Sequence, residues 1–230
     1  MNNYEIYYLL TLIAFVLTFG AQAYIRYTYS KYSKVHSSLS ITGANAATRI
    51  LRSNDLERII LNQSHGYLSD HYDPKNKMVV LSEYNYSDTS ISAIAVSAHE
   101  CGHALQDKDS YNFLKIRSSL FPVVSFSSYA GYIAISMGVM FSMINLIWIG
   151  IIMEMVILLF QFITLPVEFD ASSRALKQIE QLELLNNDEL KDAKKVLIAA
   201  ALTYVAGVAS TLIQILRLIM MVNPRSSRKR

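Results

Sequence analysis

Three long stretches of the chain carry almost no charge. Residues 6–25 and 196–216 have none, and residues 118–167 have only Glu154. An α-helix needs about 20 apolar residues, at 1.5 Å rise each, to cross roughly 30 Å of hydrocarbon. The first and last stretches each fit one crossing, and the middle one fits two. Asn145 is the best turn position inside the middle stretch, which predicts spans over 6–25, 120–143, 146–165 and 196–218. Pro166 closes the third span and can open a following helix at its first position.

The polar segments between these spans follow other periods. Residues 42–53 have the spacing of a short amphipathic helix, and 56–61 and 77–83 read as strands separated by a tight turn at Asp73-Pro-Lys-Asn76. Residues 89–106 read as a helix with Ser87 or Asp88 as its cap, and 167–185 as a second amphipathic helix. The resulting division is a first transmembrane helix in 1–28, a polar domain in 29–118 and a two-helix hairpin in 119–166. A helical segment in 167–195, a fourth transmembrane helix in 196–222 and a basic tail in 223–230 complete it.

Composition narrows the class. The chain has 230 residues, 52% of them apolar, and a net charge of +3 from 21 basic and 18 acidic residues. So small a charge, with no basic arm or stripe, argues against nucleic acid as a partner. The single cysteine, Cys101, excludes an intramolecular disulfide and reads as a small packed residue. The N-terminal apolar run lacks a basic leader and a cleavage site, so it reads as a retained span. The 15 tyrosines, several in clusters, suit membrane interfaces. Four spans place 26–117 and 167–195 on one side, and positives such as Arg26, Lys31, Lys115, Arg117, Lys177 and Lys194 make that side cytoplasmic. The basic tail, Arg225 to Arg230, dissents from this orientation.

The segment 89–106 contains His99-Glu100-Cys101-Gly102-His103. Histidines four apart lie one turn apart on one helical face, about 40° from each other, where both imidazoles can reach one Zn²⁺. Glu100 lies about 100° around the helix from His99, where its carboxylate can take a proton from water acidified by the ion. The pattern predicts a zinc-dependent peptidase with one Zn²⁺ per chain and Glu100 as general base. Gln106 and Asp109 stand where a longer metzincin motif has Gly and His, so the third ligand must come from elsewhere. Glu168 is the best candidate, because the two-span hairpin returns it to the side of His99 and His103. Asp170 is a candidate to hold a ligand imidazole by its outer N–H, or is simply an acid of a first helical turn. Arg174 is a candidate oxyanion stabiliser or a membrane anchor charge. Glu154 reads as a protonated or paired bundle residue. The strand Met78, Val79, Val80, Leu81, Ser82, Glu83 is a candidate sheet edge to which an extended substrate adds. His65 and His71 are possible fourth ligands. They keep open an alternative, a catalytically inactive membrane adaptor with a closed structural zinc site.

Four segments together carry a family resemblance: Asp70-His-Tyr-Asp-Pro74, Lys77-Met-Val-Val-Leu-Ser-Glu83, Ala98-His-Glu-Cys-Gly-His-Ala-Leu-Gln106 and Leu165-Pro-Val-Glu-Phe-Asp-Ala-Ser172. With these the chain resembles the YugP-type bacterial neutral zinc metallopeptidases over nearly its whole length. The resemblance implies a multi-pass peptidase of the bacterial cytoplasmic membrane, with His99 and His103 as ligands and Glu100 as base. A more distant similarity to the HtpX-type membrane peptidases implies a zinc-ligating Glu after a later span, which Glu168 matches. That pattern has Asp four residues further on, where this chain has Ser172. The expected fold is a mainly α membrane protein: four transmembrane helices with a small α+β, zincin-like cytoplasmic catalytic domain. The class is gluzincin-like, and the expected role is membrane-protein quality control. The expected partners are a peptide or membrane-protein substrate and the lipid bilayer.

Overall fold

The structure, a computed structural model, describes residues 3–66 and 69–223. Among the described residues, seven helices and three strands occur in the order α1 (Asn3–Tyr32), α2 (Gly43–Ser53), β1 (Ile60–Ser64), β2 (His71–Asp73), β3 (Met78–Ser82), α3 (Glu83–Ser87), α4 (Ile91–Lys108), α5 (Asn112–Met140), α6 (Ile144–Gln181) and α7 (Asn187–Val222). Among the described residues, four helices are long and apolar enough to cross a membrane: Glu5–Tyr32 of α1, α5, α6 and α7. The basic tail expected at 223–230 lies outside the described residues apart from Asn223.

The elements divide into two units. Among the described residues, one comprises 3–22, 116–165 and 203–223, and the other 23–66, 69–115 and 166–202. In the first, α5 and α6 approach through glycines. A Cβ on Gly150 would lie 2.3 Å from Ile135 Cγ1, and one on Gly131 would lie 2.9 Å from Met153 Cβ. Small residues of this kind let membrane helices meet closely where no hydrophobic effect drives them together. Thr18 and Ser210 share a hydrogen bond of 2.6 Å, and the Arg217 guanidinium donates to the Tyr7 hydroxyl at 2.8 Å. Such polar pairs hold spans together in hydrocarbon.

The second unit is built around α4. Ser90 caps it, its hydroxyl accepting the Ala93 N–H at 3.2 Å. α4 is rich in Ala, Ser, Cys and Gly and is buried on nearly every side. Its small side chains let neighbours come close: a Cβ on Gly102 would sit 2.4 Å from the Ala171 carbonyl oxygen of α6. On another side α2 presents Ala46, Ala47, Ile50 and Leu51 to the core, and Thr42 caps it by accepting the Asn45 N–H at 3.1 Å. The sheet order is β1-β3-β2, with Ile60 to Ser64 parallel to Met78 to Ser82 and His71 to Asp73 antiparallel to Val80 to Met78. Asp70 ties the sheet to α3: it accepts from the Ser82 N–H at 2.8 Å and from Asn85 Nδ2 at 2.9 Å. Asn85 in turn accepts the Tyr29 hydroxyl at 2.7 Å.

Several expectations need correction. The helix expected to begin after Pro166 does not: α6 is continuous through that proline to Gln181. Val167, Glu168, Ala171, Ala175 and Ile179 of this segment are buried at helical spacing, and that burial outweighs a proline's local preference. The turn expected at Asn145 falls at 141–143, with α6 already begun at Ile144. The first strand is shifted from 56–61 to Ile60–Ser64, and the cap of α4 is Ser90 rather than Ser87 or Asp88. The proposed edge strand is the central one. β3 is hydrogen-bonded on both sides, and Val79, Val80, Leu81 and Ser82 are all buried. Glu83 leaves the sheet and begins α3.

Candidate metal centre

His99 and His103 stand one turn apart on α4, and Glu168 stands on the segment of α6 that packs on Gly102. His99 Nε2 lies 3.2 Å and His103 Nε2 3.8 Å from Glu168 Oε2. One potential ligand atom from each of the three residues lies within 4.8 Å of the others. A tetrahedral zinc with bonds of about 2.0–2.1 Å needs donors about 3.4 Å apart, so this set fits the ion in chemistry and in spacing. All three are shielded, with the Glu168 side chain only 4% exposed.

The imidazoles use their other nitrogen for support. Ser172 Oγ is 3.2 Å from His99 Nδ1, and Gln106 Oε1 is 3.0 Å from His103 Nδ1. Nδ1 is thereby engaged with protein and Nε2 turned toward Glu168, the usual arrangement of a metal-binding histidine. Glu100 is buried beside this cluster, 8% exposed. Burial pushes its carboxyl up to about 7; His99 and His71 pull it down, while the charges of Glu168 and Asp70 add to the rise. A carboxyl near 7 is matched to accepting and returning a proton at neutral pH.

Against known proteins, a family model described as "Putative neutral zinc metallopeptidase" matches residues 7–223. The chain belongs to this family. It is 46% identical over 211 residues to "Putative membrane protease YugP" of Bacillus subtilis (strain 168), covering 92% of this chain and 94% of that protein. No solved structure matches. The zinc that the family's description names has a matching donor set in His99, His103 and Glu168.

The remaining candidates lie around this donor group. Asp170 Oδ2 accepts from Gln106 Nε2 at 2.9 Å and from Arg174 Nε at 2.6 Å. Arg174 also donates to Asp109 Oδ2 at 2.5 Å, so two carboxylates occupy the guanidinium offered as an oxyanion stabiliser. His71 lies on β2 with Nδ1 against the Ser69 carbonyl at 2.8 Å, and His65 Nδ1 is 3.4 Å from Glu83. Neither joins the donor group found among the described residues. Cys101 turns from the cluster toward α2, its sulfur 3.8 Å from the Ala47 carbonyl, and burial pushes its thiol up, away from reactivity. Sequence reasoning missed Gln106 as a site residue and treated Ser172 only as a departure from a pattern. The available signal was helical spacing: Gln106 follows His103 by three and Ser172 follows Glu168 by four.

Proposed function

We propose that this chain is an integral-membrane zinc endopeptidase with one Zn²⁺ held by His99, His103 and Glu168. The observation that carries the reading is the convergence of two imidazole nitrogens and one carboxylate oxygen within 4.8 Å, with Glu100 adjacent in sequence to a ligand. Three protein donors among the described residues suit a catalytic site, which keeps a position for water or substrate. When bound, zinc supplies a Lewis acid for the scissile carbonyl and a water acidified to a pKa of about 7.

The residues of the chain do the rest. The Glu100 carboxylate takes a proton from the attacking water as its oxygen bonds to the carbonyl carbon. Glu100 then returns that proton to the amide nitrogen as the C–N bond breaks, so the base of the first step is the acid of the second. Glu168 supplies negative charge beside the imidazoles, and Ser172 and Gln106 hold the rings. An extended peptide that pairs with the sheet must use β1 or β2, since β3 has neighbours on both sides. The site belongs on the cytoplasmic side of the bacterial cytoplasmic membrane, as the loop positives favour, and the substrates suited to it are unfolded segments of membrane proteins in quality control. The test is cleavage of an unfolded membrane-protein substrate in proteoliposomes by wild type and by Glu100→Gln. Cleavage by wild type alone supports the mechanism, equal cleavage by both removes Glu100 as base, and zinc binding without cleavage by either favours an adaptor.

A further inference from the structure

We propose that Gln106 is a positioning residue that fixes His103 with its proton on Nδ1, so that Nε2 keeps its lone pair toward Glu168; the metal role this serves rests on the zinc-peptidase reading above. Gln106 is completely buried, so each end of its amide must find a partner inside the protein. Its Nε2 donates to the Val167 carbonyl at 2.7 Å and to Asp170 Oδ2 at 2.9 Å. A backbone carbonyl accepts only, and so does an ionised carboxylate, so the amide nitrogen must face them. That leaves Oε1 for His103 Nδ1, 3.0 Å away. An amide oxygen cannot donate, so Nδ1 carries the hydrogen, and in the neutral ring Nε2 is then the lone-pair nitrogen.

The orientation is itself braced. Arg174 Nε holds Asp170 Oδ2 at 2.6 Å, and Arg174 Nη1 reaches Asp109 at 2.5 Å, back at the end of α4. Val167 is the residue before Glu168. One side chain thus joins the second histidine ligand of α4 to the turn of α6 that bears the carboxylate ligand. His99 is supported differently. The Ser172 hydroxyl, 3.2 Å from His99 Nδ1, can donate or accept and so does not dictate a tautomer. The two histidines are therefore internal controls for each other.

The test uses the full chain, labelled with ¹⁵N-histidine, metal-free and in lipid nanodiscs, with NMR distinguishing protonated from lone-pair imidazole nitrogens. Wild-type His103 should carry its proton on Nδ1; a proton on Nε2 overturns the proposal without need of any variant. Gln106→Met keeps the side-chain length but removes the acceptor, and should abolish the tautomer preference at His103 while leaving the His99 signals in place. Gln106→Glu restores an acceptor and should restore the preference. Zinc titration against a competing chelator should show affinity weakened about 10–100-fold in Gln106→Met. Unchanged His103 signals in that variant overturn the proposal. Zinc uptake by the wild type judges the peptidase reading separately: a chain that refuses zinc yet shows the Nδ1 proton contradicts that reading and supports the hold by Gln106.

Discussion

The two units hide their apolar side chains to different degrees. In the unit of α4, Ile50, Leu81, Ile94, Ile179 and Leu184 are fully buried and pack into one cluster. In the other unit, large apolar side chains face outward, among them Phe15, Phe126 at 67% and Tyr132 at 74% exposed. Its small cluster is Ile147, Ile151, Ile215, Leu218 and Val222. Patches of that size on a soluble domain would drive aggregation. On spans whose solvent is lipid they cost nothing, because hydrocarbon meets hydrocarbon. The unit with the close-packed core is also the one that holds His99, His103 and Glu168, and the proposed metal site needs that rigidity. Specificity of structure therefore comes from close packing in one unit, and from polar pairs and glycine contacts in the other.

Substitutions should separate the two regimes. The largest effect is chemical: Glu100→Gln should reduce peptide cleavage about 10²–10⁴-fold, with thermal unfolding and zinc content unchanged. Next comes the core of the α4 unit, where Ile50→Ala should lower stability by about 2–5 kcal/mol, read from unfolding in mild detergent. Gly102→Ala should follow, at about 1–3 kcal/mol, because the new methyl meets the Ala171 backbone rather than a movable side chain. It should also weaken zinc binding, since it pushes α4 from the helix that carries Glu168. Thr42→Ala should cost about 1 kcal/mol through the lost cap of α2. In the other unit, Phe126→Ala should shift stability by no more than about 0.5 kcal/mol, and Gly20→Ala, inside α1 with nothing within 4 Å, should not destabilise. A loss at Phe126 equal to that at Ile50 would break the comparison.

The four long apolar helices were legible because charge is nearly absent from their central stretches, and α2 because its alanines and isoleucine recur at helical spacing. Helix ends were less legible. α6 runs through Pro166 because Val167, Ala171, Ala175 and Ile179 bury one face on the far side of it, a tertiary fact that local propensity does not contain. The central place of β3 had a readable sign. Met-Val-Val-Leu is apolar without alternation, which suits a strand covered on both faces, whereas an edge strand alternates. His99 and His103 are legible from spacing alone, being one turn apart on one helix. Glu168 is 69 positions from His99, and only the hairpin between them and the family resemblance pointed to it. Gln106 had only its spacing from His103 to mark it; its role also depends on Val167 and Asp170 arriving from α6, which spacing within α4 does not report.

The proposed chemistry depends on His99, His103 and Glu168 forming one zinc site. Its most direct test is the metal content of the purified full chain, compared among wild type, Glu100→Gln, His99→Ala and Glu168→Ala after equilibration with limiting zinc and a chelator. One zinc per chain is expected in wild type and in Glu100→Gln, and little or none in His99→Ala and Glu168→Ala. Zinc retained at wild-type affinity by Glu168→Ala would contradict it.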